Sequence, residues 1–243
     1  MLIVLPPSET KAHGGDSGPL RWDCLSFPSL TPRRRAIAAD LARLPVDEAL
    51  GVLGISERLR PEAELNARLE STPTMPALER YTGVLYDALD APSLPPQARA
   101  RLAVGSALFG LLRADDPIPH YRLSASTKLP DAAGAAPTMK ARWGTAITEA
   151  LGEVDGLVVD LRSGGYQQLG RLPGALTVRV ESVREDGSRK VVSHFNKHYK
   201  GQLARVLALS DAAPADAPGV AEAARAAGMT VEENSPTELT LVV

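Results

Sequence analysis

Three short apolar runs constrain this chain most: LIVL at Leu2–Leu5, RLAVGSALFGLL at Arg101–Leu112 and GLVVDL at Gly156–Leu161. Runs this brief, bounded by turn-forming residues, suit buried strands better than helices. Pro6-Pro7 stops the first. Gly105 and Gly110 interrupt the second, as expected for a strand running into a tight turn, and the third enters the loop RSGGYQQLG.

The segments between them carry helical patterns. Thr31-Pro32 reads as an N-cap followed by proline at the first helical position, opening a helix to about Leu44. Val46 to about Arg68 holds one or two helices broken near Gly54 and Pro61. STPTMP is a turn-rich joint, and ALERYTGVLYDALD resumes a helical pattern. ADDPIPHYRL reads as a proline-held loop and Thr138–Leu151 as a helix containing Trp143. Further on, ALTVRVESVRE and SRKVVSHF alternate with period two around Asp186-Gly187, a hairpin signal. Asn196–Leu209 and Gly219–Ala227 read as helices, and MTVEE and ELTLVV as terminal strands. The expected fold is mixed α/β (α+β), a single domain over residues 1–243. It has a mixed sheet, a hairpin in its C-terminal half and a helical insertion near residues 30–90.

Composition narrows the function classes. With 44% hydrophobic and 23% charged residues, the chain can bury a sizeable core. The formal net charge of -2 supplies no global attraction for a polyanion, so a nucleic-acid surface would have to be a local patch. Cys24 is the single cysteine; it permits no internal disulfide, offers no cysteine zinc framework, and reads as buried or incidental. No apolar run approaches bilayer-spanning length and no secretory leader is evident, so the expectation is a cytoplasmic protein without a membrane partner.

The region richest in chemistry is VVSHFNKHYKGQLARVL, Val191–Leu207. His194 and His198 are four apart, but no third ligand or carboxylate accompanies them; no metal and no cofactor is expected. The basic content says more. Between Gly187 and Ser210 there is no Asp or Glu, while Lys197, Lys200 and Arg205 fall on the predicted helix. The chain uses 21 arginines but six lysines, so two lysines within four residues suggest an anion-binding role. SETKAHGG brings Lys11 and His13 directly after the first strand. RADDPIPHYRLSASTK brings Arg113, His120, Tyr121, Arg122 and Lys128. Together these segments suggest one basic cleft for phosphate-bearing ligands. RSGGYQQLG follows a buried strand, and its polar cluster of Asp160, Arg162, Ser163 and Tyr166 occupies a strand end, where α/β proteins favour ligand sites.

LIVLPPSETK, RYTGVLYDALD, VGSALFGLLRADDPIPHYRL, VVDLRSGGYQQL and VVSHFNKHYKGQLARVL, in this order, resemble the YaaA family of peroxide stress resistance proteins. The blocks run from the first strand to about Leu209. The resemblance implies a cytoplasmic bacterial protein of mixed α/β fold that binds DNA in a positively charged cleft, limits oxidative DNA damage and lowers available iron. Carried over by position, it places Lys11, Arg113, Arg122, Lys197, Lys200 and Arg205 in that cleft. It also implies a helix-hairpin-helix element, which maps near Ile55–Glu70. Pro61 and acidic residues stand there where a phosphate-binding glycine turn is needed, which argues against DNA contact through that segment.

Two readings follow. In the first, DNA is the partner: it binds with little sequence dependence, the iron effect is indirect, and Tyr121 or Tyr166 is available to stack on a base. In the second, the same cleft is an enzyme site for a nucleobase, nucleotide, DNA lesion or other phosphate-bearing small molecule. Asp160, Ser163, Tyr166 and His194 would then be its polar chemistry.

Overall fold

A computed structural model describes residues 1–184, 188–192, 196–211 and 213–243. Among the described residues ten strands are seen: β1 Leu2–Leu5, β2 Thr74–Pro76, β3 Leu102–Ser106, β4 Gly110–Arg113, β5 Pro117–Pro119, β6 Val158–Asp160, β7 Leu176–Val183, β8 Arg189–Val191, β9 Thr230–Ser235 and β10 Glu238–Val242. The main sheet runs β4-β3-β1-β6-β7-β10-β9, with β8 paired to β7. β1 lies between β3 and β6, parallel to both, and β6, β7 and β10 continue the parallel set. The outer pairs β3–β4, β7–β8 and β9–β10 are antiparallel.

The central position of β1 explains its composition. All four of its residues are buried, as a strand covered by helices on both faces requires. The mixed α/β domain expected from the sequence is the one observed, with helices 31–43, 46–53, 60–66 and 84–89 inserted between β1 and β3.

Several local expectations change. Thr31 is the first helical residue; Leu30 occupies the cap and no side chain caps the helix Thr31–Arg43. Gly54, at φ 64°, ends the helix Val46–Leu53 as expected, but Pro61 lies in the first turn of the helix Arg60–Asn66 and starts it. The joint STPTMP contains β2 and the loop ADDPIPHYRL contains β5, and the two pair antiparallel as a separate small sheet. Gly83, at φ 96°, interrupts the segment after β2, and Gly144 splits the expected helix at Thr138–Leu151 into Met139–Trp143 and Ala146–Gly152. Cys24 is exposed. The Asp186-Gly187 turn lies outside the described residues, although its flanking strands pair as expected.

Buried arginines knit loops to this frame. Arg34, fully buried, donates from Nε to Phe109 O at 2.8 Å and from Nη2 to Leu111 O at 2.6 Å. Arg80, also fully buried, donates to Ala12 O at 2.6 Å, Gly14 O at 2.9 Å and Ile118 O. Arg80 thereby holds the Gly-rich loop that follows β1. This is the use of a rigid five-donor fork that lysine cannot supply.

Candidate functional site

Leu5, Ser106 and Asp160 end β1, β3 and β6 side by side, so the loops after these strands meet at one edge of the sheet. The helix Asn196–Leu209 packs beside that edge against the helix Val84–Leu89. Their close approach depends on Gly201: a Cβ there would lie 2.3 Å from Leu85 O and 2.9 Å from Ala88 Cβ. That contact places the start of the lysine-bearing helix at the strand ends.

A cleft of about 270 Å3 opens there between Pro6–Thr10 and Thr82–Tyr86, with Lys197 on its rim. Its floor is apolar, and the hydroxyls of Ser8, Thr10 and Thr82 edge it. Ser8 Oγ and Thr10 Oγ1 are 3.1 Å apart, and Thr10 Oγ1 donates to Thr82 O at 3.3 Å. Lys200 stands one helical turn beyond Lys197, in a neighbouring cleft with Arg162, Ser163 and Asn196. Its Nζ donates to Leu161 O at 3.2 Å. Burial lowers its pKa, opposed by the charge of Asp160.

Behind the Ser8–Thr10 wall lies a buried cluster that the sequence reading did not assemble. Lys11 Nζ donates to Ser8 O at 3.0 Å and sits 4.5 Å from the ring centre of Tyr121 and 5.5 Å from that of Tyr81. The Tyr121 hydroxyl lies 2.7 Å from both Tyr81 OH and Ser106 Oγ, and Ser106 Oγ accepts from Phe109 N at 3.0 Å. Burial lowers the Lys11 amine to about 8, with Glu9 opposing and the Arg122 guanidinium assisting. Burial raises Tyr81 to about 12 and Tyr121 well above its ordinary value. Tyr121 is too deeply buried to stack on a base. Ser106 sits in GSALFG, a segment that read only as close packing; nothing local marked its hydroxyl for this cluster.

The remaining candidates divide. Arg122 joins the site, donating to Glu9 O at 3.0 Å and pairing with its carboxylate at 3.0 Å. Tyr166 is half-buried; burial and then the charge of Glu9 raise its pKa. Ser163 is exposed at the start of the short helix Gly164–Gln167. Asp160 is buried and held by Arg162 through two side-chain bonds. His194 lies outside the described residues.

Arg113 does not converge with this group. β4 runs back against β3, so its carboxyl end lies at the amino end of β1, in a cleft with Met1, Phe27 and Asp155. Arg205 sits about two helical turns beyond Lys197. There it donates to Leu89 O at 2.9 Å and Ser93 Oγ at 2.8 Å, tying down the end of the helix Val84–Leu89. Lys128 is exposed, and its backbone bridges to Thr138. In the Ile55–Glu70 segment, Arg60 is paired with Asp47 and Glu57, and Glu62 faces His120 Nε2 at 2.6 Å. Among the described residues, no group of three His, Cys, Asp or Glu gathers as a metal site, and no helix is long and apolar enough to cross a membrane.

A mostly parallel α/β domain with amines and hydroxyls gathered at the carboxyl ends of its central strands is the class these observations define. Residues 1–231 match the family described as Peroxide stress protein YaaA. The chain is 68% identical over 245 residues to a UPF0246 protein of Corynebacterium glutamicum, covering all of both chains. It is 42% identical over 247 residues to one of Streptomyces coelicolor, covering 98% of this chain and 94% of the relative. This chain belongs to the YaaA peroxide stress protein family, which supports a role in peroxide stress.

Proposed function

We propose that the chain serves in peroxide stress by binding DNA across the carboxyl-end edge of its sheet, protecting it from oxidative damage. Lys197 and Lys200 would supply the phosphate contacts, and any lowering of available iron would be indirect. The observation that carries this reading is the division of labour among cations. Among the described residues, the ion pairs are made by arginines and one histidine, and none of the six lysines lies in one. The arginines that fix loops are spent on carbonyls and carboxylates. Lys197 is exposed and keeps its charge for a ligand, and Lys200, whose amine also donates to Leu161 O, stands one turn beyond it.

Such a surface grips phosphates without reading base edges, so binding should be salt-sensitive and weakly sequence-dependent. Fluorescence anisotropy of a labelled duplex across a salt series tests this. Lys197→Glu with Lys200→Glu should weaken binding at low salt by about tenfold or more, while removal of two contacts should flatten the logarithmic salt slope by about 2. Duplex binding equal to wild type would overturn the assignment.

A second reading, an enzyme site for a phosphate-bearing substrate, draws on one specific observation. The apolar cleft edged by hydroxyls has a buried amine directly behind its wall.

A further inference from the structure

Lys11 is poorly explained as a phosphate grip. Only 9% of its surface is exposed, and among the described residues its amine has no carboxylate partner. One backbone carbonyl and two tyrosine rings receive it. A buried ammonium that lacks a counter-ion gives up its proton more readily than a solvated one. Burial is the largest effect on the Lys11 amine; the carboxylates of Glu9 and Glu62 oppose it, and the guanidiniums of Arg122 and Arg80 push the same way. Its place in the fold adds to this, because β1 is the central strand and its carboxyl end is where an α/β sheet presents ligands.

The geometry points to Lys11 as a nucleophilic amine that condenses with the aldehyde of a phosphate-bearing sugar held between Pro6–Thr10 and Thr82–Tyr86. The inference rests on the phosphate-binding reading above and deepens it. The lone pair of Nζ adds to the aldehyde carbon, and the carbonyl oxygen becomes the hydroxyl of a carbinolamine. That hydroxyl leaves with a proton as water, and the carbon–nitrogen double bond of an imine remains. No oxidant, reductant or metal enters the balance. Lys197 lines the same cleft and would meet the phosphate. Nζ stands behind the cleft wall, bonded to the backbone carbonyl of Ser8, so imine formation requires the short Ser8–Thr10 segment, whose hydroxyl bonds are exposed, to move aside and release it.

Two sources offer this chemistry: an abasic deoxyribose in DNA and a free sugar phosphate. The full-length chain is incubated at neutral pH with cyanoborohydride and, separately, an abasic-site duplex, the matched intact duplex or deoxyribose 5-phosphate. The reagent reduces an imine to a stable secondary amine, which peptide mass spectrometry locates. Adduct at Lys11 with the abasic duplex supports the inference with DNA as the source. Adduct at Lys11 with deoxyribose 5-phosphate alone supports it with a free ligand. In either case Lys11 should be labelled about tenfold or more faster than the exposed Lys140, because burial lowers the Lys11 amine to about 8. Labelling of Lys11 no faster than Lys140, or none in both arms, overturns the inference. Mapping the adduct in wild type needs no variant that must fold. Lys11→Arg, checked by thermal melting, should abolish the adduct. Binding of the intact duplex is read in the same experiment, so failure of the DNA reading and failure of the imine are separable.

Discussion

Arg162 forks onto Asp160, with Nε 2.9 Å from Oδ1 and Nη2 2.8 Å from Oδ2, both side chains buried at the end of β6. The same guanidinium donates to Gly170 O at 2.8 Å, so one residue closes the loop that follows the strand. Gly105 on β3 leaves room for it: a Cβ there would lie 2.6 Å from Arg162 Cδ. Removing one member of a buried pair leaves the other charge uncompensated. Asp160→Ala should therefore cost about 3–5 kcal/mol of stability, read as a lowered midpoint in urea unfolding. A loss below about 1 kcal/mol would show that the pair is not what holds this loop.

The seating of the lysine-bearing helix gives a second prediction. Gly201→Ala pushes a methyl into the Leu85 carbonyl, a backbone atom that cannot swing away. The helix Asn196–Leu209 must shift, at a cost of about 1–3 kcal/mol. If DNA binds along its first turn, affinity falls with it. Ala at the exposed position Gln202 serves as the comparison and should leave stability within about 0.5 kcal/mol. Chemical denaturation and anisotropy on the same preparations check both effects.

The strands of the core were legible because burial on both faces demands uninterrupted apolar runs, and LIVL and GLVVDL have them. β2 and β5 were not, because each is three residues long and contains proline, so turn chemistry masked their pairing. Arg113 was assigned to the wrong end for a directional reason. The turn at Ala107–Phe109 reverses the chain, so a residue placed after an apolar run came to lie at the amino end of its neighbour.

The site was legible as chemistry and not as geometry. Lysine ordinarily reads as solvated, and nothing near Lys11 in the chain announces the Tyr81 and Tyr121 rings that cover it. Lys197 and Lys200 stand out in the sequence because lysine is rare in this chain, and the structure places both beside the strand ends. Arg205 looked equivalent by charge, yet two further turns of helix carry it to the carbonyls of Leu89 and Asp90.

The Lys11 amine makes stability depend on alkaline pH. Burial pushes it down to about 8 in the folded chain from its ordinary 10.5. Between those values the unfolded state binds more protons, so the stability of the fold rises as pH rises from about 8 to 10.5. Lys11→Met removes this contribution. Unfolding free energies of the two proteins, compared across this window, should diverge by about 1.4 kcal/mol per pH unit at most, wild type gaining. Parallel curves would mean that the amine is solvated.

Glu62 provides the acid-side counterpart. Its carboxylate faces His120 Nε2 at 2.6 Å, while His120 Nδ1 is 3.1 Å from Ala12 O, so the imidazole links the helix Arg60–Asn66 to the loop after β1. The hydrogen bond to His120 holds the Glu62 pKa below its ordinary 4.5, against the opposing effect of burial. A depressed carboxylate contributes stability that is present above its unfolded value and is lost as pH falls through its folded value. Glu62→Gln should therefore destabilise the chain by about 1–3 kcal/mol at neutral pH, with the gap to wild type closing below pH 4.5. Hydrogen exchange adds a local readout: amides of the Lys11–Gly15 loop should exchange faster in the variant at neutral pH. Unchanged exchange there would show that Arg80 alone, through Ala12 O and Gly14 O, is enough to hold that loop.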